Sequence, residues 1–212
     1  MAGSRTADGL ERGPVSRLEG RPTQPTRPAV PCLPDAALPV DATTALTAFS
    51  LADGPALAAA VADLEIRRWL PLPRPYTVQL AGRWATESTE SIRASGAGLV
   101  RCIRVGGSLA GCIDVKRVDW RACTAEIGYW LAPEFRGQGH ASAAVRALSS
   151  WLLDVHSFER VELRIATGNS ASARVASHAG FVREGVARNA GFTDDGRVDL
   201  AVWSRIAGEG RV

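Results

Sequence analysis

One loop lies between two stretches of the chain that differ in hydrophobic periodicity, and it restricts the possible folds more than any other feature. Before the loop, apolar and polar residues alternate, which is the pattern of a half-buried strand. The loop itself reads Arg136-Gly137-Gln138-Gly139-His140-Ala141. After it, apolar residues recur at helical spacing: Ala144, Val145, Leu148, Trp151, Leu152 and Val155. The sequence therefore predicts a strand, a glycine-rich turn and a helix in direct succession.

The remaining periodicity predicts a mixed α/β domain over residues 43–207, with about seven strands and about four helices. Asp53-Gly54-Pro55 and Thr77 have the composition of helix starts, and a helix beginning at Asn169 is expected to end at Gly180. The predicted strands are Ala45–Ser50, Leu99–Val105, Leu109–Lys116, Ala122–Leu131, Arg160–Thr167, Phe181–Ala187 and Val198–Ile206. The three strands before the loop form an antiparallel meander, and the first of its turns is Gly106-Gly107.

Both termini are predicted to lie outside this domain. Residues 1–42 are rich in proline and arginine and lack an apolar period, so we expect a disordered tail there. Residues 208–212 are expected to be a short C-terminal tail.

The composition argues against several classes of protein. A net charge of +3 does not indicate nucleic-acid binding, and no apolar stretch is long enough to cross a membrane. Four cysteines and three histidines form no C-x-x-C pair, so we expect no metal site. Buried free thiols and the lack of a secretory signal favour a cytoplasmic protein.

The loop has the chemistry of a phosphate site. A helix N-terminus presents unpaired N–H groups with a partial positive charge, and the glycines allow close approach of a ligand. Arg136 can add a charge-assisted contact. A P-loop is excluded because G-K-[ST] is absent, and a dinucleotide fingerprint fits poorly because position 142 is serine. The alternative for a bare G-x-G is a tight connection without a ligand.

The residues around this loop resemble one enzyme family. Glu126–Pro133 and Arg136–Ala141 are similar to the strand and pyrophosphate loop of the GNAT acetyltransferases, whose loop pattern is Q/R-x-x-G-x-G/A. Further stretches resemble the RimJ/RimL-type branch, which includes ribosomal-protein N-terminal acetyltransferases: Arg68-Trp69-Leu70-Pro71, Pro75-Tyr76-Thr77, Asn169-Ser170-Ala171-Ser172, Ala179-Gly180-Phe181 and Glu184-Gly185. The resemblance covers about residues 44–206 and implies a GNAT-like, mostly antiparallel central sheet flanked by helices.

The resemblance also implies a reaction and a coenzyme site. In such enzymes an amine attacks the thioester of acetyl-CoA directly, and the pantetheine lies between two separating strands, here 129–132 and 162–166. The expected contacts are Leu131 and Phe135 beside the pantetheine, the backbone of Arg136, Gly137, Gln138, Gly139, His140 and Ala141 around the pyrophosphate, Asn169 at the pantetheine, and Ser172 near the thiol. Dimers are common in the branch, so a homodimer is an expectation.

Three residues are the catalytic candidates. Glu126 stands in an apolar strand and is the candidate base, acting through a water. The alternative is a carboxylate that faces solvent or pairs with an arginine such as Arg101. Asp114 and Asp119 are weaker candidates. Ser172 and Tyr129 are candidate acids, with a helix-surface hydroxyl and a packed core tyrosine as the competing interpretations.

The acceptor is not specified by these motifs. One interpretation is acetylation of a protein N-terminus, and another is acetylation of a small amine such as an aminoglycoside or an amino-acid-like antibiotic. A third is an acyl-CoA-binding regulator without turnover. Trp69, Tyr76 and Trp84 are expected in the core, with an acceptor wall as the alternative. Asp194 and Asp195 are expected in an exposed turn.

Overall fold

An eight-stranded sheet runs through the computed structural model, which describes residues 31–209. The strands lie in the order β1-β2-β3-β4-β5-β6-β8-β7, and only the β5–β6 pair is parallel. They are β1 (Leu38–Pro39), β2 (Thr44–Thr47), β3 (Leu99–Val105), β4 (Ser108–Asp119), β5 (Thr124–Leu131), β6 (Arg160–Ala166), β7 (Val182–Thr193) and β8 (Gly196–Ile206). The mixed, mostly antiparallel architecture is confirmed, with β1 as the strand that was not expected.

The described residues form six α-helices, two more than expected, and four of them begin where the sequence indicates. They are α1 (Gly54–Ala60), α2 (Leu64–Trp69), α3 (Val78–Arg83), α4 (Thr89–Ala94), α5 (His140–Ser150) and α6 (Ser170–His178). A π-helical turn (Trp84–Ser88) joins α3 to α4, and a second one (Trp151–Val155) extends α5. Thr77 caps α3 by accepting a hydrogen bond from the amide of Leu80, and Asn169 caps α6 in the same way through the amide of Ser172.

The sheet separates two cores because side chains alternate along each strand. On one face, Val145 and Leu148 of α5 pack with Ile113 and Ile127. On the other face, Leu57 of α1 belongs to a cluster completed by Phe49, Val61, Ala81, Ala85, Val100, Cys102 and Cys112. Trp84 and Tyr76 pack against this second cluster, as expected for core aromatics.

The N-terminal boundary differs from the sequence prediction. Leu33 is 1% exposed within the main core, and the carboxylate of Asp35 lies 2.6 Å from the guanidinium of buried Arg101. Residues 33–39 therefore already contact the domain, through buried Leu33, the ion pair of Asp35 and the pairing of β1 with β2. Residues 1–30 and 210–212 lie outside the described residues, so the tail prediction for them stays a prediction.

Two kinds of feature are absent from residues 31–209. None of the helices in that range combines the length and apolarity required to cross a bilayer. Within the same residues, no group of three or more histidine, cysteine, aspartate or glutamate side chains is arranged to hold a metal ion.

Candidate active site

The parallel strands β5 and β6 pair only at their beginning. Their register runs from Thr124 opposite Arg160 to Glu126 opposite Glu162. Beyond Glu126, β5 continues to Leu131 along β4, and β6 continues along β8. Each strand therefore keeps one edge whose backbone N–H and C=O groups have no strand partner. This V-shaped opening contains both strand segments that the sequence indicated, 129–132 and 162–166.

A cavity of about 390 Å³ lies on the β5 side of this opening, and none of the residues that line it belongs to β6. Four groups of residues line it: Tyr129, Trp130 and Leu131 from β5; Arg136, Gly137, Gly139, Ala141 and Ser142 from the glycine loop and α5; Asn169, Ala171, Ser172, Arg174, Val175 and His178 around α6; and Glu65, Ile66, Trp69 and Leu70 around α2. Eight of the predicted site residues are thus brought together: Tyr129, Leu131, Arg136, Gly137, Gly139, Ala141, Asn169 and Ser172.

The glycine loop leaves a run of backbone donors unused. Gly137 and Gly139 have φ values of 74° and 87°, a left-handed conformation that favours glycine, and a Cβ built on either residue would meet nothing within 4 Å. The last hydrogen bond before this run joins the Arg136 amide to Pro133, and the next joins the Ala143 amide to Gly139. Within residues 31–209, the amides of 137–142 therefore have no protein acceptor, which is the arrangement of an anion site at a helix N-terminus.

Arg136 is fixed by two protein acceptors. Its Nε donates to the carbonyl of Leu131 at 3.0 Å, and its Nη2 donates to the carboxylate of Asp63 at 2.5 Å. Burial opposes ionisation of Asp63, yet hydrogen bonds from Arg136 and from the amide of Ile66 outweigh it and lower the pKa of this carboxyl. Arg136 thus lines the cavity as one half of an ion pair with Asp63. The sequence motif did not predict this ion pair.

Three predicted coenzyme residues do not line the cavity with their side chains. Phe135 packs against the main core, and the side-chain amide of Gln138 donates to the carbonyl of Glu134 at 2.7 Å. The imidazole of His140 lies 3.2 Å from the hydroxyl of buried Thr44. These side chains anchor the loop to the domain, and the expected contact of the Gln138 and His140 backbone with phosphate stays a prediction.

Tyr129 and Ser172 form a hydroxyl pair inside the cavity. The tyrosine Oη lies 2.5 Å from the serine Oγ and also donates to the serine carbonyl at 3.2 Å. Burial raises the pKa of Tyr129 to about 12, although the hydrogen bond with Ser172 acts in the opposite direction. The phenol therefore stays protonated at neutral pH and retains a proton that it can donate. The structure brings together the two acid candidates, which stand 43 positions apart.

Glu126 lies at the closed end of the V and does not line the cavity. The residue as a whole is 7% exposed. Its carboxylate lies 3.5 Å from Lys116 Nζ and 3.3 Å from Arg117 Nε. The sequence suggested Arg101 as a cationic partner, but Arg101 pairs with Asp35. One carboxylate oxygen, Oε2, is buried without a hydrogen bond, so the ion pair does not satisfy the group completely.

The two weaker base candidates occupy different settings. Asp114 faces Gly128, where an added Cβ would lie 2.6 Å from its Oδ1, and burial raises the pKa of this carboxyl while Lys116 lowers it. Asp119 accepts hydrogen bonds from the amides of Arg121 and Ala122 and therefore stabilises the turn between β4 and β5.

Helix α2 contributes cavity residues that sequence reasoning assigned elsewhere. Trp69 lines the cavity, and its indole N–H donates to the carboxylate of Glu65 at 2.8 Å, one turn earlier. The expectation that Trp69 is a core residue is therefore corrected. The four-residue spacing of Glu65 and Trp69 on one helix face was the available signal. Farther out, Asp194 pairs with Arg74, so the late turn is tied to the loop after α2.

The part of the chain that contains this site matches a known protein family. Residues 44–182 match the sequence model of a family described as "Acetyltransferase (GNAT) domain". The match includes both strands of the V, the glycine loop and helices α2, α5 and α6.

Two curated relatives and one solved structure are similar to this chain. The Bacillus subtilis (strain 168) protein named "Putative ribosomal N-acetyltransferase YdaF" is 37% identical over 103 residues, covering 49% of this chain and 56% of the relative. The ribosomal-protein-serine acetyltransferase of Escherichia coli (strain K12) is 35% identical over 98 residues, covering 46% and 55%. A structure of RimL, a ribosomal L7/L12 alpha-N-protein acetyltransferase in complex with coenzyme A, aligns with a TM-score of 0.74 at 25% identity, over 81% of this chain and 98% of that one. The chain spans about half the length of the curated relatives it matches.

Proposed function

Because the chain belongs to the GNAT acetyltransferase family, we propose that it transfers an acetyl group from acetyl-CoA directly to the α-amine of a protein N-terminus. The resemblance to the RimJ/RimL-type branch is confirmed by the names of its relatives. Those names refer to ribosomal proteins, so we propose a ribosomal protein as the acceptor.

One observation carries the proposal: six consecutive amides, from residue 137 to residue 142, have no protein acceptor among the described residues, and four residues of this run, Gly137, Gly139, Ala141 and Ser142, line the cavity. Such a row fits a diphosphate, because each oxygen can accept from several N–H groups while the helix N-terminus favours negative charge. The open space around Gly137 and Gly139 fits the same group, since no side chain fills it. The residues present therefore suit coenzyme A.

The unpaired edges of β5 and β6 suit the arm that follows the diphosphate. Pantetheine carries two amide groups in an extended chain, and free backbone N–H and C=O groups can bind them as a neighbouring strand would. Leu131 and Asn169 line this path and would contact the arm. When bound, acetyl-CoA supplies an acetyl group activated as a thioester.

We assign the proton transfers to groups on either side of the reacting carbon. Glu126, through a water, takes the proton from the acceptor ammonium so that the neutral amine can attack. A backbone N–H on the free edge of β5 stabilises the developing oxyanion. As the new C–N bond forms and the C–S bond breaks, the hydroxyl pair of Tyr129 and Ser172 donates a proton to the sulfur. The second proton that the attacking nitrogen loses returns to this pair through water.

A release assay for free thiol tests this function. Purified protein and acetyl-CoA are mixed with peptides that match the N-termini of ribosomal proteins, and in parallel with polyamines and aminoglycosides. The proposal expects thiol release and a mass gain of one acetyl group with peptides. Turnover restricted to small amines would replace the acceptor assignment, and coenzyme binding without turnover on any amine would indicate a regulator.

Two broader expectations also remain proposals. A cytoplasmic location is proposed because Cys102 and Cys112 are free buried thiols, and localisation of the tagged full chain tests it. A homodimer is proposed because dimers are common in the RimJ/RimL-type branch. The molecular mass in solution, measured by sedimentation, tests it.

A further inference from the structure

Asp63 has two roles at once. Its Oδ1 accepts a hydrogen bond from the amide of Ile66 at 3.0 Å and thereby caps helix α2. The same oxygen accepts from Nη2 of Arg136 at 2.5 Å. The ion pair is half-buried, with 36% of the Arg136 side chain and 22% of the Asp63 side chain exposed. One carboxylate thus joins the start of α2 to the start of the glycine loop.

The far end of α2 reaches the opposite side of the V. Trp69 lies beside the loop between β6 and α6, where a Cβ built on Gly168 would sit 3.6 Å from the indole. Its ring is held by the hydrogen bond to Glu65 and by the guanidinium of Arg68, 4.9 Å from the ring centre. Helix α2 therefore touches both loops that flank the cavity, and Asp63 is its link to the coenzyme side.

The donors of Arg136 are divided between protein and cavity. A guanidinium has five N–H donors in a fixed plane. Two are used by the Leu131 carbonyl and by Asp63, and Arg136 lines the cavity. With two acceptors fixing the guanidinium, the orientation of its remaining N–H groups is set before a ligand arrives.

We propose that Asp63 is a positioning residue that aims Arg136 at the diphosphate of the coenzyme and holds α2 against the same site. This inference rests on the proposed use of acetyl-CoA. Asp63 touches neither the coenzyme nor the acceptor and acts through Arg136. The consequence is that an anionic residue beside an anion site strengthens binding of that anion.

Whether loss of Asp63 weakens or tightens coenzyme binding distinguishes a positioning role from a purely electrostatic one. Removal of a negative charge near a bound diphosphate lowers Coulomb repulsion and by itself tightens binding. Loss of the orienting contact leaves Arg136 with more rotamers to restrict and weakens binding. Asp63→Asn keeps the helix cap and replaces the charge-assisted contact with Arg136 by a weaker neutral one, so both effects act and the direction of the change in binding shows which of them dominates.

The experiment measures coenzyme A binding by calorimetry for the full chain, Asp63→Asn and the matched control Glu134→Gln. Glu134 is exposed and stands two residues before Arg136, and its carboxylate is not among the acceptors of that guanidinium, which are the Leu131 carbonyl and Asp63. We expect Asp63→Asn to weaken coenzyme A binding by about tenfold, a typical coupling between linked groups. The control is expected to bind equally or more tightly. Binding by Asp63→Asn that is unchanged or tighter overturns the proposal.

Two further measurements exclude a merely structural effect. S-acetylpantetheine lacks the diphosphate, so its KM in the acetylation assay is expected to be the same for both proteins, whereas the KM for acetyl-CoA rises in the variant. Arg136→Gln is expected to weaken coenzyme A binding strongly in the wild-type background and little in Asp63→Asn, because the two residues act together. Equal losses with both substrates, or additive losses in the cycle, overturn the positioning role. No binding of coenzyme A by the wild-type protein would instead remove the proposed function.

Discussion

The two ends of strand β5 satisfy their polar groups differently. At the open end, the glycine loop presents amides with no protein acceptor, and the hydroxyls of Tyr129 and Ser172 face a cavity. At the closed end, Glu126 is almost buried and lies between Lys116 and Arg117, where β5 still pairs with β6. Where the sheet is paired, two cations lie beside the carboxylate although its Oε2 has no hydrogen bond, and where the sheet opens, the loop amides have no protein acceptor among the described residues.

This difference indicates a division of labour within one strand. Changes at the open end should alter coenzyme binding, because the free donors have no other use. Changes at the closed end should alter turnover only if a water connects Glu126 to the acceptor amine. Substitutions at each end therefore test whether the two ends are separate in function as well as in structure.

The largest expected effect is on coenzyme affinity in Gly139→Val. A β-branched residue at a φ of 87° is strained, and a realigned loop no longer directs its amides into the cavity. We expect coenzyme A to bind about 100-fold more weakly by calorimetry, in the range of lost oxyanion-type donors. Gly107→Val is the matched control, since Gly107 has a φ of 83° in a remote turn and open space around its Cβ. Equal loss of affinity in both variants would contradict the assignment of the loop.

The next effect is on turnover in Glu126→Gln. If Glu126 accepts the ammonium proton through a water, kcat falls by about 100-fold while the KM for acetyl-CoA is unchanged. The control is Glu162→Gln on the opposite strand, whose carboxylate pairs with Arg160 at 2.8 Å and has no proposed role in proton transfer. A kcat within about threefold of wild type would show that Glu126 is only an ion-paired residue.

A smaller effect is expected from the hydroxyl pair. Tyr129→Phe keeps the ring and removes one proton donor, so kcat should fall by about tenfold, below the usual range for general acid catalysis because the coenzyme thiolate is already a good leaving group. Ser172→Ala should give a similar loss, and the double variant should lose little more, since the two hydroxyls form one hydrogen-bonded unit. Steady-state rates with a saturating peptide measure this, and fully additive losses would separate the two roles.

The smallest expected effect is that of alkaline pH on turnover. The pKa of Tyr129 is raised to about 12 by burial, so the phenol is neutral below that value and ionises only as pH rises through it. The plot of kcat against pH should therefore stay level from neutrality to about pH 10 at saturating substrate. A decline with an apparent pKa well below 10 would assign the acid role to another group.

The sequence determined the parts of this protein that are encoded locally. Alternating apolar residues predicted the meander, and Thr77 and Asn169 marked helix starts because each cap contacts an amide three residues later. The glycine loop was recognised for the same reason, since backbone torsion and the start of α5 lie within a few residues. The misses include β1, the contacts of residues 33–39 and the separate helices α2 and α4. In residues 33–39 the many prolines gave no periodic signal for the buried Leu33.

Tertiary structure alone decided which polar groups are free and which are paired. Arg136 contacts Asp63, which lies 73 positions away in the sequence, and Tyr129 contacts Ser172, which lies 43 positions away. Hydrophobic periodicity carries no information about contacts between residues so far apart in the sequence. Lys116 lies beside Glu126 because of strand register, whereas Arg101 pairs with Asp35, which lies outside the strands. Burial and partner choice arise from packing of the whole chain, so the chemistry of the site became visible only when the sheet was assembled.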